Sequence, residues 1–204
     1  GSNERPFLTV NNALRYVIAN DTILIKPGVY KENINVRLKP IVFTSDIISY
    51  PSNADSIIQN TIIDGSLLGT SRNILSDSAS SSNMNFNTLI GISLNNASNY
   101  VFNNLTRYNF YKCQFNKNQS GNGVFGGSFL VFDSCKFNNN GPTNYSCCGN
   151  VASFNDSVVI RNSYFTGNNS YNNAIFNFTN NNSARAYAHI IENNMFIFNG
   201  STTG

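Results

Sequence analysis

The chain has 204 residues, 41% of them hydrophobic and only 11% charged, with a net charge of +3. That length suits one domain with a sizeable core; no Lys/Arg run marks a nucleic-acid interface, and no apolar stretch reaches the length of a membrane span. Asparagine is the outlier, at 39 residues. With apolar residues placed at intervals, this composition fits a turn-rich all-β fold rather than polar disorder, because Asn and Gly tolerate positive φ and bond locally in turns.

Gly1 and Ser2 read as a cloning remnant that replaces the natural N-terminus. In "TVNNALRYVIAN", Val10, Ala13, Leu14, Val17 and Ile18 follow the helical i, i+3, i+4, i+7, i+8 pattern, which predicts a helix over residues 9–20 capped by Thr9 or Asn11. "DTILIKPGVYKENINV" predicts a strand, a Pro27-Gly28 turn and a second strand; "PIVFTSD" and "NTIIDG" add short strands. Residues 66–90, rich in Ser and Asn, read as a long loop or insertion. No boundary divides the chain, so residues 1–204 are one domain.

From residue 100 to 204 a phenylalanine followed three residues later by asparagine returns four times. The anchors are Phe115, Phe137, Phe165 and Phe196, and the partners Asn118, Asn140, Asn168 and Asn199. Aligned on the anchors, Phe110, Phe132, Ile160 and Ile191 fall five residues before, and Tyr108, Leu130, Val158 and His189 seven before. Positions two apart share a strand face. The phase changes between the two pairs, so each repeat reads as strand, tight bend, strand, turn. Periods in the twenties with variable turns indicate a solenoid of stacked coils. The rings would then stack inside, and the asparagine amides would bond to one another as a ladder.

The F-x-x-N repeat, with the G-G-A-like segments "NGVF" (122–125), "GNVASF" (149–154) and "NNAIF" (172–176), resembles that of the chlamydial polymorphic membrane proteins and related surface proteins. The resemblance implies a right-handed parallel β-helix that serves as an adhesin. The N-terminal half is similar to the opening of pectate-lyase-like β-helices, in which a short helix plugs the first coil. The expected fold is thus all-β: a single-stranded right-handed parallel β-helix with a short N-terminal capping helix.

Cys113 and Cys135 share a column in adjacent coils, within disulfide range, and two inward thiols are the alternative. Cys147 and Cys148 could bond each other or pair elsewhere. None of the four has metal-ligand spacing, and His189 is the only histidine, so no metal or other cofactor is expected. Ten N-x-S/T sequons are compatible with a secreted glycoprotein, although Asn and Ser/Thr are so common that chance supplies about seven.

The motifs of polygalacturonases, pectate lyases and pectin methylesterases are absent. The acids are scattered, whereas glycosidic cleavage needs two carboxyls within about 5–9.5 Å. Asp133, Arg161 and Glu192, four residues before their anchors, read as a solvated charge ladder, and His189 as packing. The expectation is a non-catalytic extracellular or cell-surface binding module, an adhesin or scaffold unit within a larger protein. It would take a protein or glycan from another surface or secreted component on a flat face. The alternative is a polysaccharide-active lyase or hydrolase with an unrecognised site.

Overall fold

A computed structural model describes residues 1–36, 40–68, 73–77, 86–120, 124–142, 151–170, 175–179 and 188–201. Every strand pairing among these residues is parallel. The first sheet runs in the order Thr22–Ile25, Val42–Ser45, Asn87–Ile90, Phe102–Tyr111, Phe125–Asp133 and Ala152–Arg161; the last of these pairs with both Phe176–Thr179 and His189–Glu192. The second sheet runs Gly28–Tyr30, Thr61–Asp64, Ser93–Asn95, Gln114–Asn116, Lys136–Asn138, Tyr164–Thr166 and Met195–Ile197. Three two-stranded sheets join Ile34–Val36 to Leu75–Asp77, Gln119–Ser120 to Gly141–Pro142, and Asn169–Ser170 to Gly200–Ser201.

Helices interrupt the strands: α1 (Val10–Leu14), 3-10 turns at Asp46–Ile48 and Pro51–Asn53, and α2 (Ala54–Asn60). The arrangement corrects the expected fold class. Instead of one all-β, right-handed β-helix solenoid with a single cap helix, the chain is mostly β, in several parallel sheets stacked in an α/β-like arrangement, with 11% helix. The spacing of repeats reports which residues pair. It does not report how strands are divided among sheets, and it says nothing about residues 46–60, where no repeat motif stands.

The divisions fall at left-handed residues. Three before each anchor, Lys112, Ser134, Asn162 and Asn193 have φ of 51, 58, 54 and 52°. Two after each anchor, Lys117, Asn139, Gly167 and Phe198 have φ of 54, 53, 63 and 50°. The left-handed region costs an L-residue about 1–2 kcal/mol, least for Asn and nothing for Gly. The first kink carries the chain from the first sheet to the second, and the next carries it out again. Gly91 and Asn96, with φ of 64 and 58°, bracket Leu94 in the same way. The pattern therefore begins one unit before the first F-x-x-N motif.

Strand register aligns Phe115 with Phe137, Phe137 with Phe165, and Phe165 with Phe196. Their rings stack with centroids 4.7, 4.5 and 4.7 Å apart. Phe110, Phe132 and Ile160 face them from the first sheet, and Phe110 lies 5.6 Å from Phe115, edge to face. The amides form a second continuous row. Asn140 Oδ1 accepts from both the N–H and Nδ2 of Asn118, at 3.1 and 3.0 Å. Asn168 Oδ1 accepts likewise from Asn140 at 3.0 and 2.9 Å, and Asn199 Oδ1 from Asn168 at 2.9 and 2.9 Å. The other Nδ2 hydrogen of each asparagine returns to the carbonyl of Leu94, Phe115, Phe137 or Phe165. Buried amides fully bonded in this way fix the register, because a slip would leave several without partners.

At the N-terminus α1 is shorter than the predicted helix over 9–20. Thr9 caps it, its Oγ1 accepting from Asn12 N–H at 3.1 Å. The Glu32 carboxylate also accepts from the N–H groups of Val10 and Asn11, at 2.7 and 3.0 Å. Asp21 accepts from Ile18 N–H at 2.8 Å and draws that segment into a turn instead of a further helical turn. Of the stretch 66–90 read as a loop, 75–77 and 87–90 are strands, while 69–72 and 78–85 lie outside the described residues.

Cys113 and Cys135 are free, buried thiols, and no disulfide joins them. Cys113 Sγ donates to Leu89 O at 3.5 Å, and Cys135 Sγ to Phe110 O at 3.3 Å. Both sulfurs thus lie within reach of backbone carbonyls. Burial, reinforced by the neighbouring Cys113, pushes the Cys135 thiol well up. Cys147 and Cys148, and parts of the three G-G-A-like segments, lie outside the described residues.

Two measurements follow. Asn140→Ala leaves two donors of Asn118 without their acceptor and removes the bonds from its Nδ2 to the Phe115 carbonyl and Asn168 Oδ1 in a buried site, so urea unfolding should show a loss of about 3 kcal/mol; a loss below about 1 kcal/mol contradicts the ladder's energetic role. Thiol labelling followed by peptide mass spectrometry should leave Cys113 and Cys135 unmodified in the native chain and label both in denaturant.

Candidate functional site

The outward face of the second sheet is built by residues that alternate with the buried rows. One position before each anchor, Ser93, Gln114, Lys136, Tyr164 and Met195 stand in register. One position after, Asn95, Asn116, Asn138 and Thr166 do the same. The second row is a further amide ladder: Asn116 Nδ2 donates to Asn95 Oδ1 at 3.0 Å, and Asn138 Nδ2 to Asn116 Oδ1 at 2.8 Å. Asp64 stands at the head of this row. Its carboxylate accepts from Ser66 N–H at 2.7 Å and Asn96 Nδ2 at 2.9 Å. Burial opposes its ionisation, but these bonds and Lys31 outweigh burial and hold the carboxyl below its usual value.

Helix α2 lies against one end of this face. Ser93 Oγ donates to Ile58 O at 2.7 Å, and Thr61 Oγ1 to Ile57 O at 2.8 Å, so two hydroxyls bond carbonyls of its last turn. Ile58 packs inward, only 4% exposed. The Lys136 ammonium bridges across to Asp55 at 3.0 Å. Both groups are well exposed, and such a pair contributes under about 1 kcal/mol. Its value is positional: it spans a cleft of about 490 Å3 between α2 and the sheet. Lys112, Gln114, Ser134 and Ser56 line the cleft with them.

Gln114 is the unusual member. It is 5% exposed, and its Nε2 has no hydrogen-bond partner among the described residues. An unmet buried donor costs about 1–3 kcal/mol and is rare enough to need a reason. Lys112 enters the cleft from a left-handed backbone position, φ 51°. The site can therefore offer two ammonium groups, hydroxyls and one carboxylate to a polar ligand. A larger hollow of about 660 Å3 opens at the N-terminal end under Phe7, Leu8 and Tyr16. There Lys26 is engaged by Asp46, at 3.0 Å, and the Tyr30 hydroxyl by the Lys26 carbonyl, at 2.9 Å.

The anchors and asparagines singled out from the sequence stand behind the second sheet, in its inward row and the turn that follows, buried except at Phe196 and Asn199; they shape the site without lining it. Asp133 and Arg161 form an ion pair at 2.9 Å. Burial works against the Asp133 charge, but bonds from Asn162, Ser134 and Arg161 hold its carboxyl low. Glu192 is exposed and in register with Arg161. His189 packs its ring against Phe178, centroids 4.7 Å apart. Among the described residues no three His, Cys, Asp or Glu side chains could hold a metal ion. No helix among them is long and apolar enough to cross a membrane. Sequence reasoning missed Gln114, Lys136 and α2. The available signal was the polar residue before each anchor in "QFN" and "KFN", together with "PSNADSIIQN", a Pro-led segment with adjacent isoleucines.

The Asp64 bonds set a pH dependence. Its folded pKa is lower than in the unfolded chain, so the stabilisation is whole above the unfolded value of about 3.9 and vanishes as pH falls through the lower folded value. Thermal unfolding should show Asp64→Asn clearly less stable than the parent at pH 7, with the gap closing toward pH 2; a constant gap would contradict this assignment.

Compared with known family models, curated proteins and solved structures, the chain matches none.

Proposed function

We propose that the chain is a non-catalytic extracellular binding module, an adhesin-like or surface-scaffold unit, and that a glycan lies across the outward face of its second sheet. The observation that carries this reading is the cleft that α2 makes against the second sheet, with Lys112, Lys136, Ser56 and Ser134 on its walls. Ammonium groups, hydroxyls and amides are suited to a ligand dense in hydroxyls. Tyr164, 48% exposed and two strands along the same row, offers a ring face for sugar stacking. Rows repeating every ~4.8 Å favour an extended, repetitive ligand.

A glycan array probed with the purified chain is the test. Binding should fall about tenfold in Tyr164→Ala and in Lys136→Ala. Both side chains are exposed, so circular dichroism and thermal unfolding should stay near those of the parent. Binding that both substitutions leave unchanged, or no binding to any glycan, would overturn the reading.

A further inference from the structure

The charges around the cleft do not balance. Lys112 and Lys136 both line it, and Asp55 on α2 is the only acid among the described residues that do. That carboxylate is taken up by Lys136, at 3.0 Å. Asp133, beside Ser134 in the chain, is committed elsewhere: Arg161 Nε, Asn162 Nδ2 and Ser134 Oγ donate to it at 2.9, 3.1 and 3.0 Å. Two ammonium groups therefore share one carboxylate, and Lys112 has no ion pair among the described residues. Ser56 Oγ accepts from Asn60 Nδ2 at 3.5 Å, which leaves its own hydrogen for a ligand oxygen.

The Lys136–Asp55 pair shows which chemistry the cleft accepts. An anionic oxygen already sits against the Lys136 ammonium, carried by a side chain that is 73% exposed. Partners so exposed hold each other weakly, so a ligand anion can displace Asp55 without disturbing α2, whose last turn is held by Ser93 and Thr61. Lys112 adds a second positive charge in a concave site, where like charges reinforce each other's attraction for an anion. Lys136 is also in register with Tyr164 on the next strand. A sugar stacked on that ring has its neighbouring substituents beside Lys136.

We infer, resting on the glycan reading above, that the glycan bound here is anionic: a saccharide whose sulfate or carboxylate group sits against Lys112 and Lys136 in place of Asp55. A neutral sugar would leave the Lys112 charge uncompensated and gain nothing from displacing Asp55. Asp55 is then an internal competitor, which sets a threshold against neutral ligands.

The test titrates the full chain with three oligosaccharide probes on one backbone: dextran, carboxymethyl dextran and dextran sulfate. At physiological salt at least one charged probe should bind about tenfold or more tightly than dextran, and its affinity should fall as salt rises. The stronger of the two charged probes identifies the anionic group. Lys112→Ala and Lys136→Ala should each weaken that binding by about tenfold, and Asp55→Asn should strengthen it by about threefold. Arg15→Ala, at an exposed cation that does not line the cleft, should leave it unchanged. Circular dichroism of all four variants should match the parent. Dextran bound as tightly as the charged probes would overturn the inference, as would Asp55→Asn without effect, or Arg15→Ala as damaging as Lys112→Ala. A neutral glycan bound on an array through Tyr164 and Lys136 would overturn the anionic assignment alone; no saccharide bound at all would overturn the glycan reading with it.

Discussion

The structure depends on one shared hydrogen-bond acceptor. In each repeat a single asparagine oxygen takes two donors from the repeat before it, while its amide nitrogen bonds backward and forward. Asn118, Asn140 and Asn168 are buried, so water cannot replace these bonds. A shift of one residue would turn the asparagines outward and break every link together. The phenylalanine three positions earlier is held by the same register, and its stack fills the space between sheets. The asparagine supplies specificity; the aromatic stack adds apolar burial.

The candidate site inherits its order from this buried framework. Gln114, Lys136 and Tyr164 each immediately precede an anchor phenylalanine, so the stack that sets the anchors also sets their spacing. Left-handed residues keep the second-sheet strands short and turn the chain sharply at both ends of each. That leaves a narrow face of two outward rows, one of amides bonded to each other and one of mixed polar and aromatic groups. Helix α2 closes one end and makes a cleft of what would otherwise be open sheet. The asparagine ladder runs on from there, from Asn118 to Asn199.

How much of this is legible in the chain depends on whether a residue's role is repeated. Phe115, Phe137, Phe165 and Phe196 recur with asparagine at fixed distance, so their alignment can be read without coordinates. The same role is invisible at Leu94 and Ala97, which occupy the anchor and ladder positions one unit earlier: Ala97 N–H bonds Asn118 Oδ1 at 2.9 Å. Neither has the side chain that announces the repeat. The fold class is not legible in the same way: the repeat suggests one continuous all-β winding, while the helical content of residues 46–60 depends on non-local contacts such as Ser93 with Ile58. The cysteines share a column, as aligned, but stand as free thiols. In the sequence Gln114 is one polar residue before an anchor; its burial under α2 shows only in the structure.

The most direct test of the central claim is a set of nuclear Overhauser contacts between phenylalanine rings in selectively labelled protein. Ring contacts should join Phe115 to Phe137, Phe137 to Phe165 and Phe165 to Phe196, at the 4.5–4.7 Å centroid spacing of the stack, and should be absent between Phe115 and Phe165. Rings that show no contact with their neighbours in this series would place the four anchors in separate environments and contradict the account.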